Sequence, residues 1–231
     1  MRRILAALAA LTITIAGAPS AVAGGPTAGT ATITLTFIRH AQSEGNASGL
    51  IDTSTPGPGL TGLGREQAAA AAAHLSGNGY DAVFASTMVR TQQTAQPMSA
   101  ALGEAVTVLP GLREVEAGKY EGLPEADAAD YFSAPQRWLT GDRSARIPGS
   151  MDGNEFDARF DDAVRQIQDS GARHPVAFSH GAAIMLWVMM NVDDPDPSLL
   201  RSEPLQNTGR VVLTGSPQQG WTLTEWQGAP A

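Results

Sequence analysis

The chain of 231 residues carries 15 lysines and arginines against 23 acidic residues, a formal net charge of −8, and no cysteine. An acidic body excludes broad nucleic-acid binding and a basic membrane-binding face, so the positive charge needed by any anionic ligand must be concentrated locally. The lack of cysteine excludes disulfides, a thiolate nucleophile and a lipid-modified N-terminal cysteine.

Arg2 and Arg3 precede an apolar run from Ile4 to Ala16, and Ala21-Val22-Ala23 supplies the small-x-small pattern that signal peptidase accepts. Residues 1–23 are therefore expected to be a signal peptide and the protein secreted or otherwise extracytoplasmic. The alternative is an uncleaved anchor, but the run is short for a bilayer span and no stop-transfer charges follow. After cleavage no membrane association is expected. Residues 24–30 (GGPTAGT) read as a flexible lead-in, and residues 31–231 as one domain without internal repeats.

Thr32 to Ile38 alternates β-branched and apolar residues into a strand that runs into Arg39-His40. A Gly/Pro-rich loop follows from Gly45 to Gly59, and Thr61 caps an alanine-rich helix reaching Leu75. Asp81 to Ala85 reads as a short buried strand, Met88 to Leu102 as a helix, and Val106 to Leu109 as another strand. Residues 123–149 mix helical pieces (Asp127 to Leu139) with Pro and Gly. An amphipathic helix over Asn154 to Ser170 precedes the strand Pro175 to Ser179, which ends at His180-Gly181. A helix from Ala182 to Met190 and two closing strands, Arg210 to Thr214 and Trp221 to Trp226, complete the chain. Strands alternating with helices predict a three-layer α/β/α sandwich around a mostly parallel sheet.

Ligands of such sheets bind at the carboxyl ends of strands. Two predicted strands end there in a histidine followed by a small residue, His40-Ala41 and His180-Gly181, in a chain with only four histidines. The other two, His74 and His174, sit near element ends and read as surface residues. No histidine pair has metal-ligand spacing, and an arginine beside His40 opposes a cation, so no metal site is expected.

Further motifs follow in order. Arg39-His40-Ala41-Gln42-Ser43-Glu44-Gly45-Asn46 resembles the R-H-G-x-[S/T]-x-x-N opening of the histidine phosphatase (phosphoglycerate mutase-like) superfamily. Leu60-Thr61-x-x-Gly64-x-x-Gln67-Ala68, Ser86-x-x-x-Arg90-Thr91-x-Gln93-Thr94-Ala95 and Leu112-Arg113-Glu114 resemble its next three segments. Ser179-His180-Gly181 and Asn207-Thr208 resemble its last two. Ala41 departs from the pattern, standing where glycine is usual, and would be obstructive if that position needed positive φ or very close phosphate approach.

The resemblance implies a phosphoryl-transfer enzyme that uses no cofactor and takes a small phosphorylated substrate. His40 would be the nucleophile, attacking as a neutral imidazole with its second ring nitrogen fixed by a backbone carbonyl. Arg39 and Arg90 offer planar donor forks to phosphate oxygens, and His180 a further donor. Ser43 and Asn46 would donate as neutral groups, and Gly181 and Ala182 through the free N–H groups of the helix start. Glu114 takes the proton-donor role by motif position, whereas Glu116 and Glu121 read as solvated surface charges. Arg137, Arg143 and Arg146 would contact a second anionic group or pair with nearby aspartates. Phosphatase is favoured over mutase, because Asn46 to Leu60 lacks the tryptophan- and asparagine-rich stretch of the mutases and Lys119 is the single lysine. A catalytically weak phospho-ligand binding module is the remaining alternative.

Overall fold

A computed structural model describes residues 31–127 and 129–227; the expected signal peptide and most of the lead-in lie outside the described residues. In chain order the elements are β1 (Ile33–Arg39), α1 (Glu44–Ser48), α2 (Gly62–Leu75), β2 (Ala82–Ala85), α3 (Val89–Leu102), β3 (Val106–Val108) and α4 (Ser133–Leu139). Then come α5 (Gly153–Asp169), β4 (Pro175–Ser179), α6 (Gly181–Asn191), α7 (Leu199–Ser202), β5 (Arg210–Ser216) and β6 (Gly220–Gln227). The strands form one sheet in the order β3-β2-β4-β1-β5-β6. The first four of that order are mutually parallel, β5 runs antiparallel to β1, and β6 antiparallel to β5. The expected α/β architecture is therefore present.

Side-chain alternation splits the core between the two faces of the sheet. Ile38, Val83, Ala85, Val176 and Phe178 face a cluster that α2 closes with Ala72 and Leu75 and α3 with Ala95 and Met98. Their neighbours Leu35, Phe37, Phe84 and Ala177 face the larger cluster, which α5 fills with Phe156, Phe160 and Ile167 and α6 with Trp187. Strands buried on both faces read as continuous apolar runs, as β2 and β4 do. Helix α6 is apolar nearly all round for the same reason, whereas α5 is amphipathic and starts at an Asp152–Glu155 capping box.

Register decides where the chemistry falls. The parallel pairing of β1 with β4 sets Arg39 opposite Ser179, so the residues that follow, His40 and His180, leave the sheet side by side. The His40 N–H donates to the Ser179 carbonyl at 2.9 Å.

Differences from the sequence reading are local. The 45–59 stretch is not wholly a loop: Ser43 caps the one-turn helix α1 through a reciprocal capping box with Asn46. Four-residue α7 and several 3-10 turns carry too few residues to show periodicity. The helical part of 123–149 shrinks to a turn at Glu125–Asp127 and to α4. Glycine matters most at Gly64, in the first turn of α2, where a Cβ would sit 2.0 Å from the Gln42 carbonyl oxygen. That close approach presses α2 onto the loop leaving His40.

Gly64→Ala is accordingly expected to destabilise the protein by roughly 1–3 kcal/mol, the usual cost of overpacking. Gly62→Ala, where the nearest atom lies 4.0 Å away, should be neutral or stabilising. Urea unfolding of both variants checks this; equal stabilities would contradict the packing argument.

Candidate active site

The strand ends open into a cavity of about 300 Å³ lined by Arg39, His40, Arg90 and Glu114 together with Ser43, Asn46, Gly181 and Ala182. His180 lies immediately behind, its ring centroid 5.1 Å from that of His40 in an edge-on contact. Residues from four separate motifs thus converge, and every residue assigned to the site from the sequence lines the cavity or, for His180, lies directly behind it.

His40 is buried, and its Nδ1 lies 2.7 Å from the Ala41 carbonyl oxygen. A carbonyl can only accept, so Nδ1 carries the proton and Nε2 the lone pair. Arg90 Nε donates to that Nε2 at 3.1 Å. Burial holds the His40 pKa well below 6.5, and the charges of Arg90 and Arg39 push it the same way. The ring is therefore neutral and nucleophilic at ordinary pH. Ala41 does not disturb this arrangement. It is absent from the residues with positive φ, its methyl packs with Leu60 and Ala68, and its N–H donates to Thr94 Oγ1 at 3.0 Å.

His180 is also buried, with its pKa lowered well below 6.5 first by burial and then by Arg90 and His40. Its Nε2 lies 2.9 Å from Ser86 Oγ, which contacts Thr91 Oγ1 at 2.8 Å. Thr91 donates to the Met88 carbonyl at 2.8 Å, so Ser86 donates to Thr91 and is left to accept from His180 Nε2–H. Nδ1 of His180 has no partner among the described residues, nor do Arg39 Nε and Arg90 Nη1. The remaining guanidinium contacts are positional. Arg39 Nη1 donates to the Leu205 carbonyl at 2.7 Å, and Arg90 Nη2 to that of Asp52 at 3.0 Å. Burial is the largest cause lowering both arginine pKa values, opposed in each case first by Glu114.

Among the three neighbouring glutamates only Glu114 reaches the cavity. Its Oε1 accepts N–H groups from Val115 and Ala183, both at 2.8 Å, and its Oε2 accepts from Ala182 at 3.3 Å. Arg159, on α5, donates to the carbonyls of Arg113 and Glu114 and so holds this segment from below. Glu116 pairs with Arg113 near solvent. Glu121 is more than a surface charge: its carboxylate binds the N–H and hydroxyl of Thr53 and the N–H of Ser54, fixing the loop that carries Asp52.

Two assignments need correction. The Ala182 N–H is not free for an anion, because Glu114 occupies the start of α6; the Gly181 N–H has no partner among the described residues. Gly181 also lets Arg39 lie close, since a Cβ there would be 3.3 Å from Arg39 Nε. Ser43 serves mainly as the cap of α1, with its hydroxyl turned to Asn46 Oδ1 at 3.3 Å. Asn46 Oδ1 also accepts from Asn207 Nδ2 at 3.2 Å, which leaves the Asn46 amide N–H groups as the end available to the cavity.

Asn207 itself, donating to the His40 carbonyl at 2.9 Å, was visible in the sequence only as a motif. Asp52, Glu125, Tyr131 and Phe132 also line the cavity, and nothing in their local sequence marks them. His74 and His174 are exposed, as expected. Among the described residues no three His, Asp or Glu side chains cluster in a metal-binding arrangement, and no helix is long and apolar enough to cross a membrane.

The profile of the histidine phosphatase superfamily (branch 1) matches residues 35–228. The PE-PGRS family protein PE_PGRS11 of Mycobacterium tuberculosis is 44% identical over 215 residues, which cover 86% of this chain but 37% of that protein. A probable phosphoglycerate mutase GpmB of Yersinia enterocolitica is 30% identical over 194 residues, 82% of this chain and 88% of its own. Among solved structures, one described as mycobacterial hydrolase 1 aligns with a TM-score of 0.71 at 25% identity, over 87% of this chain and 100% of that one. A mycobacterial glucosyl-3-phosphoglycerate phosphatase shares the fold at 23% identity with a TM-score of 0.68, over 85% and 100%.

Two imidazoles held neutral by burial make stability depend on pH. Their folded pKa values lie below the unfolded value near 6.5, so the stability they confer is complete above that value and is lost as pH falls below it. Each contributes up to about 1.4 kcal/mol per pH unit. Denaturant unfolding at pH 7, 6 and 5 should show this loss, with a shallower slope in His180→Gln. An unchanged slope in that variant would contradict the assignment.

Proposed function

Because the chain belongs to the histidine phosphatase superfamily, we propose that it is a metal-independent phosphomonoesterase working through a phosphohistidine. The carrying observation is the His40 ring, its proton on Nδ1 and its Nε2 lone pair facing Arg90. A phosphate ester dianion entering the cavity takes over donors of Arg39 and Arg90, which frees Nε2. Asn46 and the Gly181 N–H add neutral donors, and His180 adds a charged one once the dianion raises its proton affinity. These groups stabilise the charge carried by the equatorial oxygens of the transferring group.

Nε2 then attacks phosphorus, the P–N bond forms, and the ester P–O bond breaks with its electron pair leaving on the alkoxide oxygen. Glu114 supplies the proton that this oxygen needs. Water next attacks phosphorus, its proton passes to the Glu114 carboxylate, the P–N bond breaks, and inorganic phosphate departs. Arginines and imidazoles supply all the positive charge in this scheme, which supports operation without a metal. The family's mutases share the first half of the chemistry; the lack of a tryptophan- and asparagine-rich stretch between Asn46 and Leu60 and the acidic mouth described below favour hydrolysis. Export belongs to the same reading and is supported by the basic-apolar leader alone.

Rapid quenching with a labelled ester in the presence of excess chelator should trap a linkage stable to alkali and lost in acid. His40→Ala should abolish both label and turnover. Retained activity in that variant, or a chelator-sensitive rate restored by a divalent ion, would overturn the scheme.

Glu114→Gln should slow alkyl phosphates by roughly 10² to 10⁴, the usual contribution of a positioned acid. p-Nitrophenyl phosphate, whose leaving group departs without a proton, should instead release a burst of phenol before slow turnover. An unaffected alkyl-phosphate rate would remove Glu114 from the mechanism.

A further inference from the structure

The part of the cavity beyond the phosphoryl position has an electrostatic character of its own. Its basic lining residues are Arg39 and Arg90, both aimed at the nucleophile. Its carboxylates are Asp52, Glu114 and Glu125, and Glu114 is committed to proton transfer. Asp52 and Glu125 therefore face whatever the phosphate is attached to. Glu125 sits on the turn following an isolated bridge between Leu50 and Pro124, with its N–H bonded to the Gly49 carbonyl at 2.9 Å. Its charge is felt by Arg39, whose pKa it helps to raise.

Among the described residues no further cation lines the cavity to offset these acids. Arg137 pairs with Asp142, Arg143 with Asp157, and Arg146 with Asp152 and Glu155, and none of these arginines lines the cavity. Lys119 lies over the Tyr120 ring. Apolar side chains also line the mouth: Leu50 and Phe132 do so while remaining 41% and 37% exposed. The volume of about 300 Å³ is at the small end of ligand pockets, roughly 300–1,000 Å³.

Resting on the phosphatase reading, we infer that the site selects compact phosphate monoesters whose leaving group is neutral or carries an amine. It rejects leaving groups that bear a carboxylate or a second phosphate, and Glu125 is the specificity-determining residue. A bound phosphoryl dianion already consumes the two guanidinium charges. A further anion would then meet half-buried Asp52 and exposed Glu125 at the cavity mouth, where like charges repel.

The test compares kcat/KM of the full protein for glycerol 3-phosphate, phosphoethanolamine and 3-phosphoglycerate, with p-nitrophenyl phosphate as the reference ester. The first two should exceed 3-phosphoglycerate by roughly tenfold or more. Glu125→Gln should narrow that ratio, and Glu125→Lys should narrow it further or invert it. Equal or greater activity on 3-phosphoglycerate in the unaltered protein overturns the inference. A ratio unmoved in both variants overturns the role of Glu125. Either result with p-nitrophenyl phosphate still hydrolysed leaves the phosphatase reading intact, whereas no hydrolysis of any ester removes both.

Discussion

Two guanidinium groups and two imidazoles are enclosed together where β1 and β4 end, and burying like charges side by side is the constraint to which the surrounding structure answers. An isolated charge taken out of water costs several kcal/mol or more. The imidazoles meet the cost by staying neutral. The arginines cannot, so each is held by a backbone carbonyl and faces the Glu114 carboxylate. Among the described residues Arg39 Nε, Arg90 Nη1 and His180 Nδ1 remain without partners, at about 1–3 kcal/mol for each such group. A phosphoryl dianion is a ligand that removes this cost, and its binding draws on free energy the fold has already stored.

That enclosure is kept in shape by neutral contacts rather than by further charges. Gly64 lets α2 press on Gln42, and Thr94 takes the Ala41 N–H while donating to the Arg90 carbonyl at 2.6 Å. One threonine thereby ties the loop after the nucleophile to the helix carrying its arginine. From the other side Asn207 holds the His40 carbonyl, and its neighbour Thr208 sits at φ +61°. A β-branched residue in that region costs of order 1–3 kcal/mol, and such strain concentrates at functional sites. Its N–H donates to the Arg39 carbonyl at 3.1 Å, so the strained residue is part of the clamp on β1.

The order of elements was readable because β2 and β4 are apolar runs buried within the sheet, α2 and α5 begin at side-chain caps, and α6 is apolar nearly all round. His40, Arg39, Arg90 and His180 were readable for a different reason. Each lies within a few residues of a strand end or helix start, so short motifs specify them. Asp52, Glu125 and Phe132 could not be found this way. They reach the cavity through loop paths set by Glu121 on Thr53 and by the Leu50–Pro124 bridge, contacts that span about seventy residues of chain. One-turn α1 escaped for want of length, although its Ser43–Asn46 capping box was present in the sequence.

The start of α6 shows how the site divides its labour. A helix N-terminus is an anion site by virtue of its unpaired N–H groups, and the sequence reading gave this one to the substrate. Here the occupant is the Glu114 carboxylate, held through the Ala182 and Ala183 N–H groups. In the proposed mechanism the helix start is thus spent mainly on orienting the acid, and apart from the Gly181 N–H the dianion's charge falls to side chains. This leaves Arg39 and Arg90 without a backbone substitute. Each binds a carbonyl with one nitrogen while another nitrogen has no partner among the described residues. Only a planar, multiply donating group can do both at once, so lysine at either position would keep the charge and lose the geometry.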